Sequence, residues 1–327
     1  MNAFIAVLQN NMRRALVHKG RMIVTFVLIT GAILGAIFFN TRAEVAGHIA
    51  LVTQNADVYP GNPALRVTTV QNAPPLSELV SGAFDAVVTD LGNGTYEIMS
   101  IKGAELEEAL ALLLEHPGDE SAPDDGDRKI GASIFGFLLM FILMQGMTWM
   151  YLFAEDKEKR LMGRVAASPV PFTGYLCAHG LFSFAFMLIP AVTILYAVKW
   201  ILNVDIGLGF LQYVLLLSLL CAFSTALALF LNAFIRKSDS ANMAGSATVV
   251  LTSVLSGSFY SFEKGNAVLE TAIKVLPQKA LLTLANGMES DASFRALAPH
   301  AAYVLILTIA LLVLAVSKTK RENVMSR

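Results

Sequence analysis

The chain contains residue types that could carry out chemistry, but they do not form a recognised catalytic or metal-binding motif. The sequence has no G-x-x-x-x-G-K-[ST] phosphate loop, no H-E-x-x-H zinc motif, no C-x-x-C pair and no G-x-S-x-G nucleophile motif. The histidines lack the spacing of metal ligands; they are His18, His48, His116, His179 and His300. We therefore predict no catalytic residue and no metal site, and no binding of ATP through a phosphate loop.

One histidine, His179, lies in a long apolar run, and an ionisable side chain inside a membrane is a candidate for function. It lies only about four residues inside that run, where its side chain can reach the interface. An intramembrane serine hydrolase could be drawn from His179 with Ser256 or Ser258. These residues would lie near opposite ends of their helices, so the sequence disfavours this hypothesis.

A short charged segment, residues 154–174, separates two apolar runs and is the strongest functional candidate. It begins AEDKEKRLMGR, with Lys157, Lys159, Arg160 and Arg164 against Glu155, Asp156 and Glu158. The positive-inside rule places a short basic loop of this kind in the cytoplasm. With Leu161, Met162 and Val165 on another face, a short helix here could dock on a partner and transmit a rigid-body push. The alternative is an ordinary solvated loop.

The composition is that of a membrane protein. The 327 residues are 55% hydrophobic and 15% charged, and the mean hydropathy is +0.61. The net charge of −1 does not suggest nucleic-acid binding. Residues 40–129 hold 15 of the 25 acidic residues but 5 of the 24 basic ones. Such asymmetry indicates a separate aqueous domain.

The N-terminal part predicts an interfacial helix and then a membrane span. Residues 1–20 form an amphipathic pattern that is too polar to cross a bilayer, with Arg13 and Arg14 on its polar face. The apolar run 21–39 follows directly and predicts the first transmembrane helix. The basic residues before this span place the N-terminus in the cytoplasm.

Residues 40–129 predict a small α/β domain on the extracytoplasmic side. Four β-branched or alternating runs, HIALVTQ, LRVTTV, FDAVVTD and TYEIMSIKG, are bounded by glycine, proline and asparagine. Two short helices are expected at 76–82 and 104–116. The acidic tail of this region predicts a linker.

Residues 130–327 predict five more spans, at about 130–153, 175–200, 208–235, 241–260 and 300–316. Residues 261–298 predict an outer helical hairpin, broken near Pro277. The fifth span is rich in hydroxyl groups, so Thr252, Ser256 and Ser258, with Gln145 of the second span, are either a packing face or a pathway lining. The predicted fold is an α-helical polytopic membrane protein with six transmembrane helices, an N-terminal interfacial helix and an α/β extracytoplasmic domain between helices one and two.

Several segments together resemble the permease subunits of the type-2 ABC transporter (ABC-2) family. These segments are the amphipathic N-terminal helix, the loop EDKEKRLMGRVAASPV, the run LPQKALLTLANG and the outer segment LSELVSGAFDAVVTD. The resemblance covers essentially the whole chain. It is closest to members with a large outer domain between the first two spans.

The resemblance implies that residues 154–174 form a coupling loop, which docks in a groove of a separate ATP-binding subunit. Aligned on Ser168-Pro169, Glu158 matches the recurring glutamate of the family and Arg164 a later arginine. The loop departs from the family pattern at Arg160, Leu161 and Gly163, which stand where glycine, threonine and an acid are common. The predicted ATPase-coupling residues are Glu155, Glu158, Arg160, Leu161 and Arg164.

The function implied by the resemblance is that of a permease subunit in an ATP-driven exporter of an amphiphilic or peptide-like compound. No cofactor is expected on this chain, because ATP and Mg would bind the partner ATPase. The other expected partners are a second permease subunit, identical or paralogous, and membrane lipid, with no nucleic acid. The chain would lie in the cell membrane with both termini in the cytoplasm. The alternative is a non-transporting receptor or scaffold that acts through its outer domain.

Overall fold

A computed structural model describes residues 3–43, 47–52, 65–70, 73–75, 79, 84, 86–90, 96–100, 111, 130–161, 172–258 and 267–325. The chain forms two compact units: Met1–Ile37 with Arg128–Arg327, and Phe38–Asp127. Helices dominate the first unit. They are α1 (Ala3–Val17), α2 (Lys19–Ala43), α3 (Ile130–Glu158), α4 (Phe172–Leu202), α5 (Phe210–Phe234), α6 (Ser238–Leu255), α7 (Ala267–Lys274), α8 (Pro277–Glu289) and α9 (Phe294–Met325).

Five of the helices in the described part of the chain are long and apolar enough to cross a membrane. They are Lys19–Phe38, Ile130–Glu158, Phe172–Leu202, Phe210–Phe234 and Phe294–Glu322. Their side chains are apolar over about 20 residues or more, which matches a hydrocarbon core of about 30 Å. The protein is therefore a multi-pass helical membrane protein.

Helix α6 differs from the predicted fifth span, because it begins at Ser238 and ends at Leu255. Its first turn is polar, so it is not among the helices that meet the length and composition of a span. It ends early because Gly257 takes a left-handed conformation with φ of 80°. The amide of Gly257 then bonds to the carbonyl of Val254 and that of Ser258 to Ser253, which closes the helix. The sixth crossing therefore stays a prediction.

Helix α5 lies at the centre of the helical unit and packs against α3, α4, α6, α8 and α9. It approaches α3 closely at Gly146, where Ser224 donates a hydrogen bond to the carbonyl of Ile142 at 2.9 Å. A Cβ at Gly146 would overlap the Ser224 hydroxyl and lie 3.0 Å from its carbonyl oxygen. Small residues allow this close packing, which is the common way for helices to associate in membranes.

The second unit contains a four-stranded sheet of order β2-β1-β3-β4, where β1 is Gly47–Val52, β2 Leu65–Val70, β3 Ala86–Asp90 and β4 Tyr96–Ser100. Strand β1 pairs in parallel with β2 and β3, and β4 is antiparallel to β3. The strands overlap the four predicted segments. The two central strands are buried on both faces of the sheet: Ile49, Leu51, Ala86 and Val88 belong to one apolar cluster, and Ala50 and Val87 belong to another. Most of the predicted helical segments 76–82 and 104–116 lies outside the described residues, and the extracytoplasmic location stays a prediction.

Candidate functional site

Four consecutive charged residues form the last turn of α3: Glu155, Asp156, Lys157 and Glu158. Successive residues of an α-helix point about 100° apart, so four in a row are distributed around the whole helix. The four side chains therefore point in different directions and together reach several neighbouring helices. We call these four residues the α3 hub.

Arg14 of α1 bridges the first two residues of the hub. Its guanidinium donates one hydrogen bond from Nη1 to Asp156 Oδ1 at 2.8 Å and another from Nη2 to Glu155 Oε2 at 2.9 Å. The Asp156 side chain is only 8% exposed. Charge-assisted bonds in a place so poorly accessible to water are stronger than surface ion pairs. They attach the N-terminal helix α1 to the end of α3.

The second oxygen of Asp156 contacts α4. The Tyr175 hydroxyl donates to Asp156 Oδ2 at 2.6 Å. His179, one turn further along α4, has Nε2 at 3.6 Å from the same oxygen and Nδ1 at 3.1 Å from Asn11 Nδ2 of α1. Asn11 and His179 are both buried, so their hydrogen bond is part of the packing contact between α1 and α4. His179 thus belongs to a polar network that holds helices together.

Lys157 and Glu158 bind the two helix ends that flank the α5–α6 turn: Lys157 binds the end of α5, and Glu158 binds the beginning of α6. Lys157 Nζ donates to the carbonyls of Asn232 at 3.3 Å and Ala233 at 2.5 Å, at the C-terminal end of α5. Glu158 Oε2 accepts hydrogen bonds from the amide and hydroxyl of Ser238, the first residue of α6. The ammonium group of Lys157 thus lies at carbonyls that the end of α5 leaves without a helical partner, and the carboxylate of Glu158 lies at an amide that the beginning of α6 leaves without one. Both charges have the sign that the helix dipole favours at that end.

Lys157 also reaches α9, where its Nζ lies 3.2 Å from Glu322 Oε2. The hub therefore contacts five helices: α1, α4, α5, α6 and α9. All of these contacts are at one end of the bundle, which we call the hub end. A displacement of α3 at this end would be passed directly to each of the five helices.

Immediately after the hub, the chain turns through Lys159, Arg160 and Leu161. Glu155 accepts a hydrogen bond from Lys159 at 2.6 Å, and this contact raises the pKa of Lys159 above its usual value. Arg160 is left-handed, with φ of 56°, and the amide of Leu161 bonds back to the carbonyl of Asp156. This conformation favours glycine, the residue that the resemblance leads one to expect at this position.

The structure brings only some of the predicted coupling residues into the hub. Glu155 and Glu158 belong to it and bind within the chain, Arg160 is exposed in the turn, and Arg164 lies outside the described residues. On α1, Arg14 belongs to the network, whereas Arg13 is exposed. Docking on a partner stays a prediction for this set.

Sequence reasoning did not assign roles to several residues that complete the hub network; they are Asn11, Asp156, Lys157, Tyr175, Ser238 and Glu322. The sequence pattern places this charge run in the cytoplasmic loop 154–174, whereas the structure places it in the last turn of α3. One feature of the sequence does indicate the longer helix: no proline or glycine separates the four charged residues from the apolar run before them, so nothing local ends the helix there.

Two of the four predicted pathway residues, Gln145 and Thr252, bond to another helix, and the other two are buried. Gln145 is buried and accepts a hydrogen bond from Thr25 of α2 at 2.8 Å. Thr252 accepts one from Gln278 of α8 at 2.7 Å. Ser256 and Ser258 are buried, and Ser256 donates to the carbonyl of Ser253 at 2.8 Å. These contacts favour the packing interpretation, and the pathway role stays a prediction.

A second polar contact lies at the opposite end of the bundle, which we call the Glu289 end. Glu289, the last residue of α8, accepts hydrogen bonds from the amides of Gly131 at 2.9 Å and Ala132 at 2.7 Å. The carboxylate therefore caps the first turn of α3. Gly207, with φ of 75°, lies against this carboxylate, and a Cβ there would overlap it.

Replacing Glu289 by alanine is expected to lower the free energy of unfolding by about 1–2 kcal/mol, because α3 loses its cap and two amides lose their acceptor. The change can be measured by equilibrium unfolding in mixed detergent micelles. Glu97→Ala, on an exposed position of β4, is the control and should have no more than a small effect. Equal losses in the two variants would contradict the capping role.

The comparison with known families agrees with the membrane architecture. The family model for ABC-2 family transporter proteins matches residues 54–317. This region contains β2 to β4 and the helices from α3 to most of α9, well over half of the chain. No curated protein sequence matches the chain. From the extent of the family match, together with the several spanning helices, it follows that this chain belongs to the ABC-2 transporter family, the membrane permeases of ABC transporters.

Proposed function

We propose that this chain is the permease subunit of an ATP-driven exporter that moves an amphiphilic or peptide-like compound. ATP and Mg would be bound and hydrolysed by a separate ATP-binding subunit, since family membership implies such a pairing. The observation that carries the proposal is the α3 hub. One helix end contacts five others through charged groups, directly beside the segment that would receive the movement of the ATPase.

In this mechanism, closure of the ATPase displaces residues 154–174 and with them the hub. Arg14 carries the displacement to α1, Tyr175 to α4, and Ser238 to α6. The contacts are short and mostly shielded from water, so they resist separation better than surface ion pairs do. Movement at one end of α3 thereby becomes a rearrangement of the bundle.

We place the hub end in the cytoplasm, with both termini on that side and the α/β unit outside the cell. Exposed basic residues cluster at this end in the described part of the chain, as the positive-inside rule requires. They are Lys159, Arg160, Arg236, Lys237, Lys320 and Arg321. Two permease subunits, identical or paralogous, would enclose the pathway, because symmetric pairing matches a dimeric ATPase.

The surface offered to the ATPase begins after the hub. Glu155 is partly buried and binds Arg14, and Glu158 is exposed but binds Ser238. Arg160 is exposed in the turn that follows, and Leu161 is partly exposed. We therefore propose that docking uses Arg160, Leu161 and the residues that follow, including Arg164. The role of Glu158 is to hold α6 to the moving segment.

Co-purification with the ATP-binding subunit tests this division of roles. Arg160→Glu is expected to weaken the complex about tenfold or more without loss of stability, because its side chain is exposed. Glu158→Lys is expected to destabilise the chain, since a cation would face the positive end of α6, and to weaken the complex through that loss of local structure. Arg295→Glu, exposed near the Glu289 end, is the control.

An intact complex in both hub-end variants, with normal activity in cells, would contradict the proposal. It would favour a receptor or scaffold that acts through the α/β unit, for which residues 154–174 are dispensable.

A further inference from the structure

The C-terminal ends of α5 and α9 lie side by side at the hub end and change there from apolar to basic. The apolar run of α5 ends directly before Arg236, and that of α9 ends two residues before Lys318. Phe230 of α5 and Val316 of α9 pack on the same apolar cluster. Such a change is expected where the hydrocarbon core meets lipid headgroups. We call residues 234–239 and 316–322 the α5–α9 junction.

The junction carries an excess of positive charge. Its two segments hold five basic and two acidic side chains. Glu322 lies 3.2 Å from Lys157 Nζ and 3.2 Å from Lys318 Nζ, so two ammonium groups share one carboxylate. Among the described residues, Arg236 forms no salt bridge. The carboxylates of the junction are therefore too few for its cations.

Two cations on the side of the hub that binds α1 are paired differently. Arg14 binds both Glu155 and Asp156, and Lys159 binds Glu155. A cation that already has a carboxylate partner attracts a further anion less than one that shares its partner or has none. An anion from outside the chain is therefore attracted more strongly to the junction than to Arg14 or Lys159.

An aromatic surface adjoins the cations of the junction. The side chain of Phe234 is 48% exposed, although it belongs to a membrane-spanning helix. Lys318 Nζ lies 5.8 Å from the centroid of this ring, and the Phe230 ring lies 4.7 Å from it, centroid to centroid. A cation beside exposed rings matches the two parts of a phospholipid, the phosphate and the acyl chain. An acidic protein surface would use the cations alone.

We propose that the α5–α9 junction binds an anionic phospholipid. Its phosphate lies between Lys318 and Arg236, and one acyl chain lies along Phe234 and Phe230. Lysine and arginine side chains are long enough to reach the headgroup level, and basic clusters beside membrane spans attract anionic headgroups. The lipid supplies negative charge that Glu322 alone does not, and it holds the end of α9 to the turn after α5. The inference does not depend on what is transported.

Tryptophan fluorescence can test which lipid lies at the junction. The chain has two tryptophans, Trp149 and Trp200. A protein with Trp149→Phe, Trp200→Phe and Phe234→Trp therefore has a single tryptophan at the junction. It is reconstituted into vesicles that contain phosphatidylglycerol and phosphatidylcholine in equal amounts. In one set of vesicles only the phosphatidylglycerol has brominated acyl chains, and in the other only the phosphatidylcholine has them.

Brominated phosphatidylglycerol is expected to quench the introduced tryptophan at least about threefold more than brominated phosphatidylcholine. Adding Lys318→Gln and Arg236→Gln should abolish this preference. Arg13→Gln with Lys159→Gln is the matched control, because it removes two exposed cations from the side of the hub that binds α1. The control should keep the preference. Equal quenching by the two lipids, or an equal loss of preference in the two pairs of variants, would overturn the proposal.

Native mass spectrometry provides a second measurement if the tryptophan variant does not fold. The unaltered chain, extracted from the same lipid mixture, should retain phosphatidylglycerol in preference to phosphatidylcholine. The chain with Lys318→Gln and Arg236→Gln should lose that preference. If this variant keeps the lipid preference but no longer co-purifies with the ATP-binding subunit, the junction is a protein-docking surface and the proposal is wrong.

Discussion

Asp156→Ala is expected to lower the free energy of unfolding by roughly 3 kcal/mol, the largest effect of any single hub substitution. The carboxylate binds Arg14 through one oxygen and the Tyr175 hydroxyl through the other. Its removal leaves a partly buried guanidinium with Glu155 alone and a buried hydroxyl with no acceptor. Equilibrium unfolding in mixed detergent micelles measures the loss.

Two arginines that are adjacent in the sequence provide a matched control for the hub. Arg14→Ala should destabilise the chain, whereas Arg13→Ala should not, because Arg13 is exposed. In the double variant with Asp156→Ala, the second substitution should cost much less than it does alone, since the pair is already broken. Costs that simply add would show that the two residues act independently.

The hub also predicts a functional signature that a purely structural role would not produce. Asp156→Asn keeps an acceptor for Tyr175 but loses the charge that holds Arg14. If the hub couples the helices, this variant should retain the ATP-binding subunit and lose about tenfold or more of transport per ATP hydrolysed. Transport that falls only in proportion to the amount of folded protein would limit the hub to stability.

Gly146→Ala is expected to cost about 1–3 kcal/mol of stability by overpacking the α3–α5 contact. The added methyl group would overlap the Ser224 hydroxyl and lie 3.0 Å from its backbone carbonyl. The hydroxyl cannot simply rotate away without losing its bond to the carbonyl of Ile142. The helices must therefore separate slightly, and the same unfolding measurement reports the cost.

Gly35→Ala in α2 is the matched control, because no atom lies within 4 Å of a Cβ there. It should be neutral or slightly stabilising, since alanine favours a helix more than glycine does. Adding Ser224→Ala to Gly146→Ala should recover part of the loss by removing the hydroxyl, but not all of it, because the backbone carbonyl remains. Equal behaviour of Gly146→Ala and Gly35→Ala would contradict the close approach.

Local patterns in the sequence predicted the secondary structure well, because hydrophobic period and helix breakers act over a few residues. The apolar run from Ile130 predicted α3, four β-branched runs predicted the strands, and Pro277 predicted the boundary between α7 and α8. Boundaries were less accurate. Helix α9 begins at Phe294, six residues before the predicted start, because Pro299 is accommodated inside the helix near its N-terminus.

The partners of the charged residues were decided only by the tertiary structure. Glu155 and Glu158 were predicted to face another protein, yet they bind Arg14, 141 residues away, and Ser238, 80 residues away. Glu289 likewise caps α3 by accepting a hydrogen bond from the amide of Gly131, 158 residues before it. By itself, the sequence determined that Glu155 and Glu158 directly follow the apolar run of α3, and it assigned no role to Glu289. Which helix each carboxylate binds depends on how the helices pack. No local pattern contains that information, because the contacts join distant parts of the chain.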